Sequence, residues 1–162
     1  MFQVARTVGE TLREVIAQSG SEGQEMASKF KATVILGGQI KGGKPTVFLI
    51  YPEGNFIEVT DDNPFFQIGE TKYGKPILVR AYDPEMSFAD AIKLLLVSFD
   101  STIKANLSVG LPLDLQTYEA DSFKMSDKPR IEADDAYYQT VSNNWGEALR
   151  NALTQLPSYK AE

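Results

Sequence analysis

Phe30-Lys31-Ala32-Thr33-Val34-Ile35-Leu36-Gly37-Gly38-Gln39-Ile40-Lys41-Gly42-Gly43-Lys44-Pro45-Thr46-Val47-Phe48-Leu49-Ile50-Tyr51 is the stretch that decides the fold. Phe30 to Leu36 is β-branched and apolar and is closed by Gly37-Gly38, as expected of a strand. Val47 to Tyr51 is a near-continuous apolar run, the pattern of a strand buried on both faces. The Gly- and Lys-rich stretch between them reads as a hairpin connection. Tyr51-Pro52-Glu53-Gly54 places Pro second and Gly fourth, which favours a type I turn. A third strand over Asn55 to Val59 then closes a meander. Asp61-Asp62-Asn63-Pro64 is a loop, and Phe65 to Ile68 reads as a fourth, short strand.

Outside the meander the period changes to that of helices. Upstream, Val4, Val8, Leu12, Val15 and Ile16 recur at three and four, the spacing of one helical face. Gly9 inside that helix costs about 1 kcal/mol against Ala, which marks a close packing approach. Ser19 to Gly23 ends it as a loop. Downstream, Glu70 to Tyr82 reads as a helix interrupted at Gly74 and Pro76. Ser87 and Asp90 have capping-box spacing behind Asp83-Pro84 and start a helix that runs to about Lys104. Phe88, Ala91, Ile92, Leu95, Leu96 and Phe99 form a broad apolar surface on it, expected of a helix packed between layers. Leu113 to Glu119 alternates like a half-buried strand, Ser122 to Pro129 is a polar loop, and the last helix spans about Ala136 to Leu156. On that helix Tyr138, Val141, Trp145, Leu149, Ala152 and Leu156 share one side, and Pro157 ends it. Strands cluster and helices cluster, which predicts an α+β layered domain rather than a βαβ sheet.

Composition narrows the function classes. The 162 residues approach the size of one domain, and the sequence shows no repeat or linker, so residues 1–162 are expected to form a single domain. Lys+Arg 16 against Asp+Glu 22 leaves a net charge of −6 with no basic block, which argues against a nucleic-acid partner. With Cys 0 and His 0, disulfides, thiolate nucleophiles, Ser-His-Asp triads and most zinc sites are excluded. No metal and no cofactor is expected. The longest apolar run, Leu94 to Val97, is far short of the ~20 residues of a membrane span, and the start lacks a secretory pattern. No membrane partner is expected, and the expected location is cytoplasmic.

The short motifs favour structural readings. Gly38-x-x-x-x-Gly43-Lys44 imitates a phosphate loop, but Pro45 stands where Ser or Thr would hold Mg²⁺, and a strand follows where a helix is needed. Ser101-x-x-Lys104 lacks the companion motifs of penicillin-binding enzymes. Glu132, Asp134 and Asp135 precede the last helix, where carboxylates complement the helix dipole, rather than forming a cation site. Tyr137, Tyr138 and Trp145 read as core or subunit contacts. One histidine-free mechanism remains: a Thr or Ser whose own α-amine acts as base, which requires that nucleophile at residue 1 of the mature chain. Residue 1 here is Met.

Several blocks together resemble the bacterial proteasome-like peptidases of the Anbu type (ancestral beta subunit). They are Ile35 to Ile40, Leu49 to Pro52 with Gly54 to Glu58, Pro64 to Glu70 through Lys72 to Leu78, and Ser98 to Thr102 leading into Asn106 to Pro112. The likeness runs in order through nearly the whole chain. It implies an incomplete four-layer αββα sandwich of the proteasome-subunit, N-terminal-nucleophile (Ntn) hydrolase type, with two sheets packed between helical layers. It also implies a threonine-type, self-compartmentalising peptidase that acts on a peptide or amide substrate and assembles as a homo-oligomer, in a ring or spiral. In that family an N-terminal Thr attacks and an early Asp and Lys tune it. That segment is expected upstream, so this chain is read as the carboxy-terminal two-thirds or so of the subunit, with no catalytic residue of its own.

The resemblance carries over a supporting shell. Proteasome subunits place Gly-Ser-Gly before the middle helix; here Gly69 matches the glycine and Glu70 stands at the serine. They also carry Asp-x-x-Ser-Gly after the later helix; here Asn106 stands for Asp, Val109 for Ser, and Gly110 matches the glycine. Ser108 and Asp100 are the nearby candidates for the replaced roles. The same departures support an alternative, a catalytically silent scaffold or assembly subunit.

Overall fold

A computed structural model describes residues 1–21, 31–127 and 129–160. The chain divides into two compact units, Met1–Gly69 with Tyr118–Met125, and Glu70–Thr117 with Ser126–Glu162.

In the first unit a helix, α1 (Phe2–Ser21), lies on an antiparallel meander of β1 (Val34–Gly38), β2 (Thr46–Ile50) and β3 (Phe56–Glu58), in the order β1-β2-β3. Gly38 pairs with Thr46 across the Gly-rich connection, whose Gly43 N–H donates to the Ile40 carbonyl at 2.8 Å. That stretch is a hairpin and not a phosphate loop. Residues 31–33 precede β1 without joining it, and the expected strand start at Phe30 lies outside the described residues. The Tyr51–Gly54 turn closes through the Gly54 N–H on the Tyr51 carbonyl at 2.9 Å. Ala5, Phe48 and Ile50 are fully buried, with Met1, Val8, Leu12, Val34, Leu36 and Phe56 packed around them. Burying side chains such as Phe48 and Ile50 is worth about 1.5–3 kcal/mol each.

The face of α1 differs by one position from the expected one. Val4 and Val15 are exposed, and Ala5 and Gly9 point inward instead. The cause is a backbone contact. A Cβ on Gly9 would collide with the Gly54 carbonyl, and Gly54 itself turns with φ +88. Two glycines bring helix and turn together, so the small residues take the inner side. β2 also departs from two-sided burial. Thr46, Phe48 and Ile50 are buried, while Val47 and Leu49 are half-buried. On this second face Ile35, Leu49 and Ile57 stand in one row across the three strands. Residues 65–68 form no strand. Their composition supplies β propensity, but local propensity alone does not make a strand.

The second unit holds α2 (Lys75–Ala81), α3 (Phe88–Ala105), α4 (Ala136–Gln155) and a two-stranded sheet of β4 (Leu113–Asp114) and β5 (Arg130–Ile131). Gly74 and Pro76 begin α2 rather than interrupting a longer helix, since Pro is tolerated in a first turn where its missing N–H has no helical partner. Ser87 caps α3: its Oγ accepts from the Asp90 N–H at 3.1 Å and donates to Asp90 Oδ2 at 2.8 Å. Asp135 caps α4, with Oδ1 accepting from the Tyr138 N–H at 2.7 Å, so this member of the acidic cluster serves the helix end. Leu96, Ile131 and Tyr138 form the core, with Ile92, Leu111, Leu113 and Val141 against it. Of the strand expected over Leu113 to Glu119, Leu113 and Asp114 form β4 and Tyr118 makes an isolated antiparallel bridge with Met125; the β4 partner, β5, follows what reads as a polar loop.

Burial on the helices also departs from the sequence reading. Phe88, Leu95 and Phe99 are 57%, 40% and 43% exposed, and α3 buries Ser98, Asp100 and Thr102 beside Leu96. A Cβ on Gly74 would meet Ser98 Oγ and Thr102 Oγ1, so α2 begins directly on that polar side of α3. On α4, Tyr138 is buried, but Leu149 and Leu156 are exposed.

Candidate functional site

The segment before α2 and the segment after α3 meet through side chains. Glu70 Oε1 accepts from the Lys72 N–H at 2.9 Å, which holds the carboxylate in a local turn. Glu70 Oε2 accepts from Asn106 Nδ2 at 2.9 Å, across 36 positions of sequence. Asn106 Oδ1 accepts twice from Ser108, from its N–H at 2.9 Å and from its Oγ at 2.7 Å. Asn106 is the C-cap of α3, with extended backbone, so its side chain leaves the helix axis. Glu70 and Asn106 are half-buried and Ser108 is exposed. Three of the residues singled out from sequence therefore form one hydrogen-bonded cluster. Gly69 adjoins it in the chain and adopts φ +79, a left-handed backbone suited to glycine. Gly110 follows it and has open space around it.

Asp100 stands apart from this cluster. It is 2% exposed, and it accepts from the Tyr138 hydroxyl at 3.3 Å and from Lys104 Nζ at 3.0 Å. Lys104 Nζ also donates to Ser142 Oγ at 2.8 Å, so the group ties α3 to α4. Burial, followed by the charge of Asp100 and its hydrogen bond, pushes the Tyr138 phenol up to about 12. Asp100 is a buried anchor between α3 and α4. The i,i+4 spacing of Asp100 and Lys104 is legible in sequence, whereas Tyr138 and Ser142 are not. Ser101 Oγ accepts from Trp145 Nε1 at 3.3 Å, while Lys104 Nζ turns to Asp100 and Ser142.

Two further features lie outside this cluster. In the first unit, Gln39 Nε2 donates to the Gly43 carbonyl and to Asp121 Oδ1, both at 2.7 Å, and its Oε1 accepts from the Tyr118 hydroxyl and the Asp121 N–H, both at 2.8 Å. Nothing in the sequence singles out this clamp. In the second unit, an apolar cavity of about 720 Å³ between α2, α3 and α4 is lined by Ile77, Leu94, Val97, Val141 and Trp145 among others, and by none of Glu70, Asn106 and Ser108. Among the described residues no three metal-ligating side chains converge.

Comparison with known proteins places this geometry. Residues 7–111 match the model of the family described as Proteasome subunit. The chain belongs to the proteasome-subunit family. Its mixed helices and partial sheets are the α+β, Ntn-type fold that the resemblance implies. Among solved structures it is similar to the Anbu (Gly-1) mutant from Hyphomicrobium sp. strain MC1, at 49% identity and TM-score 0.89, with 99% of this chain and 66% of that chain covered. It is similar to Anbu (ancestral beta-subunit) from Yersinia bercovieri, at 45% identity and TM-score 0.89, with 99% and 66% covered. The Anbu complex from Pseudomonas aeruginosa, a helical assembly, is 42% identical with TM-score 0.89 and the same coverage of 99% and 66%. The chain thus spans just under two thirds of the length of these relatives. No curated protein matches it.

Proposed function

We propose that this chain is the supporting part of a threonine-type, self-compartmentalising hydrolase subunit that cleaves peptide or amide bonds. The nucleophile and its tuning Asp and Lys come from the part of the subunit that this chain does not span. The observation that carries the reading is the cluster of Glu70, Asn106 and Ser108, at the two positions where proteasome subunits support their nucleophile. In such a reaction the α-amine takes the hydroxyl proton of its own Thr as the oxygen attacks the carbonyl. The cluster orients that amine or the incoming water and adds no covalent step. The subunit works as a homo-oligomer in the cytoplasm, a reading supported by the helical assembly of the Pseudomonas aeruginosa relative and by the exposed apolar side chains.

The test uses the complete subunit purified from its own cells. Expected are a mature chain that begins with Thr and a covalent adduct on that residue with an N-terminal-Thr-directed inhibitor. A mature chain with another first residue, or no adduct on Thr, overturns the reading. One observation favours a second reading, a silent scaffold: Glu70 and Asn106 replace Ser and Asp and are bonded to each other. That reading expects assembly without adduct formation.

A further inference from the structure

We infer that Glu70 is the positioning residue of a relay that contains one carboxylate and sets which way the Ser108 hydroxyl points. The use of this relay in hydrolysis rests on the proposed function; its existence does not. The argument is one of hydrogen-bond direction. An asparagine amide offers an oxygen and a nitrogen of nearly equal size, and its neighbours decide which faces which way. An ionised carboxylate can only accept. Glu70 Oε2 therefore takes Asn106 Nδ2, at 2.9 Å. Asn106 Oδ1 is left facing Ser108, where it accepts from both the N–H at 2.9 Å and Oγ at 2.7 Å. The single hydroxyl proton of Ser108 is then committed, and its exposed Oγ can present only lone pairs. The open end of the relay is an acceptor, which suits a primary ammonium group and not an oxyanion.

The same logic dictates how the relay can be rebuilt. With Glu70→Gln alone, the introduced oxygen keeps the Lys72 N–H, and the introduced amide nitrogen meets Asn106 Nδ2. If Asn106 flips to relieve this, its nitrogen meets the Ser108 N–H. Either arrangement opposes two donors. With Asn106→Asp alone, two carboxylates face each other. With both substitutions every bond returns: the amide nitrogen at position 70 donates to the carboxylate at 106, which accepts from Ser108 as before. One carboxylate is required, and it can sit at either position.

The test is this double-mutant cycle in the complete subunit, read by thermal unfolding and by hydrogen exchange at the Ser108 amide. Each single substitution is expected to lower Tm and to speed exchange at Ser108 roughly tenfold, about the weight of one charge-assisted hydrogen bond. The pair together is expected to restore both. Additive losses, or singles without effect at Ser108, overturn the relay. A general packing role would not make exchange at Ser108 recover in the double variant. Inhibitor adduct formation by the same variants is a separate readout, so an inert subunit with an intact cycle contradicts the proposed function and not the relay.

Discussion

Gly9 and Tyr138 show how much one residue can carry. A methyl group on Gly9 has no room, because the Gly54 carbonyl occupies its place. Gly9→Ala is expected to lower stability by about 1–3 kcal/mol despite the better helix propensity of Ala, as overpacking outweighs propensity here. Denaturant unfolding checks the sign. Tyr138 donates its hydroxyl to buried Asp100, and its phenol holds its proton up to about 12. The fold binds that proton more tightly than the unfolded chain does, where a tyrosine titrates near 10. The resulting stability is present below about pH 10 and is lost as pH rises through about 12. The free energy of unfolding measured between these values should therefore fall more steeply in the natural chain than in Tyr138→Phe. The phenolate absorbance rise near pH 12 should disappear in the variant.

At the scale of elements, caps and turns were the most legible features. Ser87 and Asp90 read as a capping box from spacing alone, and Ser87 Oγ accepts from the Asp90 N–H and donates to the Asp90 carboxylate. Ser87→Ala is expected to cost about 1 kcal/mol, lowering Tm by roughly 2–4 °C for a chain of this size. A calorimetric scan checks it. The hairpin and the Tyr51–Gly54 turn were equally readable, since Gly and Pro constrain the backbone locally. The short strand read over residues 65–68 does not form, and β5 was not read as a strand. Strand identity depends on a partner that local composition does not name. The helix faces were read only in part. Apolar spacing identified α1 and α3 as helices, but the Gly9–Gly54 contact shifted the inner face of α1. On α3 the apolar surface is wider than the part that its neighbours cover.

For the whole molecule, apolar surface outside the two cores is the main consequence. Phe88, Leu95 and Phe99 lie on one side of α3, and Ile35, Leu49 and Ile57 form a row on the second face of the meander. Contiguous exposed apolar surface favours association. Light scattering of this chain is expected to give a mass above that of one copy, with binding of an apolar dye. A monodisperse monomer that binds no dye contradicts this. No helix among the described residues is long and apolar enough to cross a membrane, so no span accounts for this surface.

Short-range spacing, and runs of residues that can be matched in order, were enough for the helices, the meander, the caps, the hairpin and the family. The sequence also marked Glu70, Asn106 and Ser108, through positions where they depart from the proteasome pattern. That those three bond to one another, while Asp100 bonds to Tyr138 and Lys104, follows from packing. Glu70 and Asn106 are 36 positions apart, and their meeting depends on how α2 begins against α3. Asp100 lies one helical turn from Lys104, yet its place is set by Tyr138 on another helix. A hydrogen bond forms within a few tenths of an ångström of its ideal length; spacing along a chain can nominate the donors and acceptors, and only packing brings them to that distance.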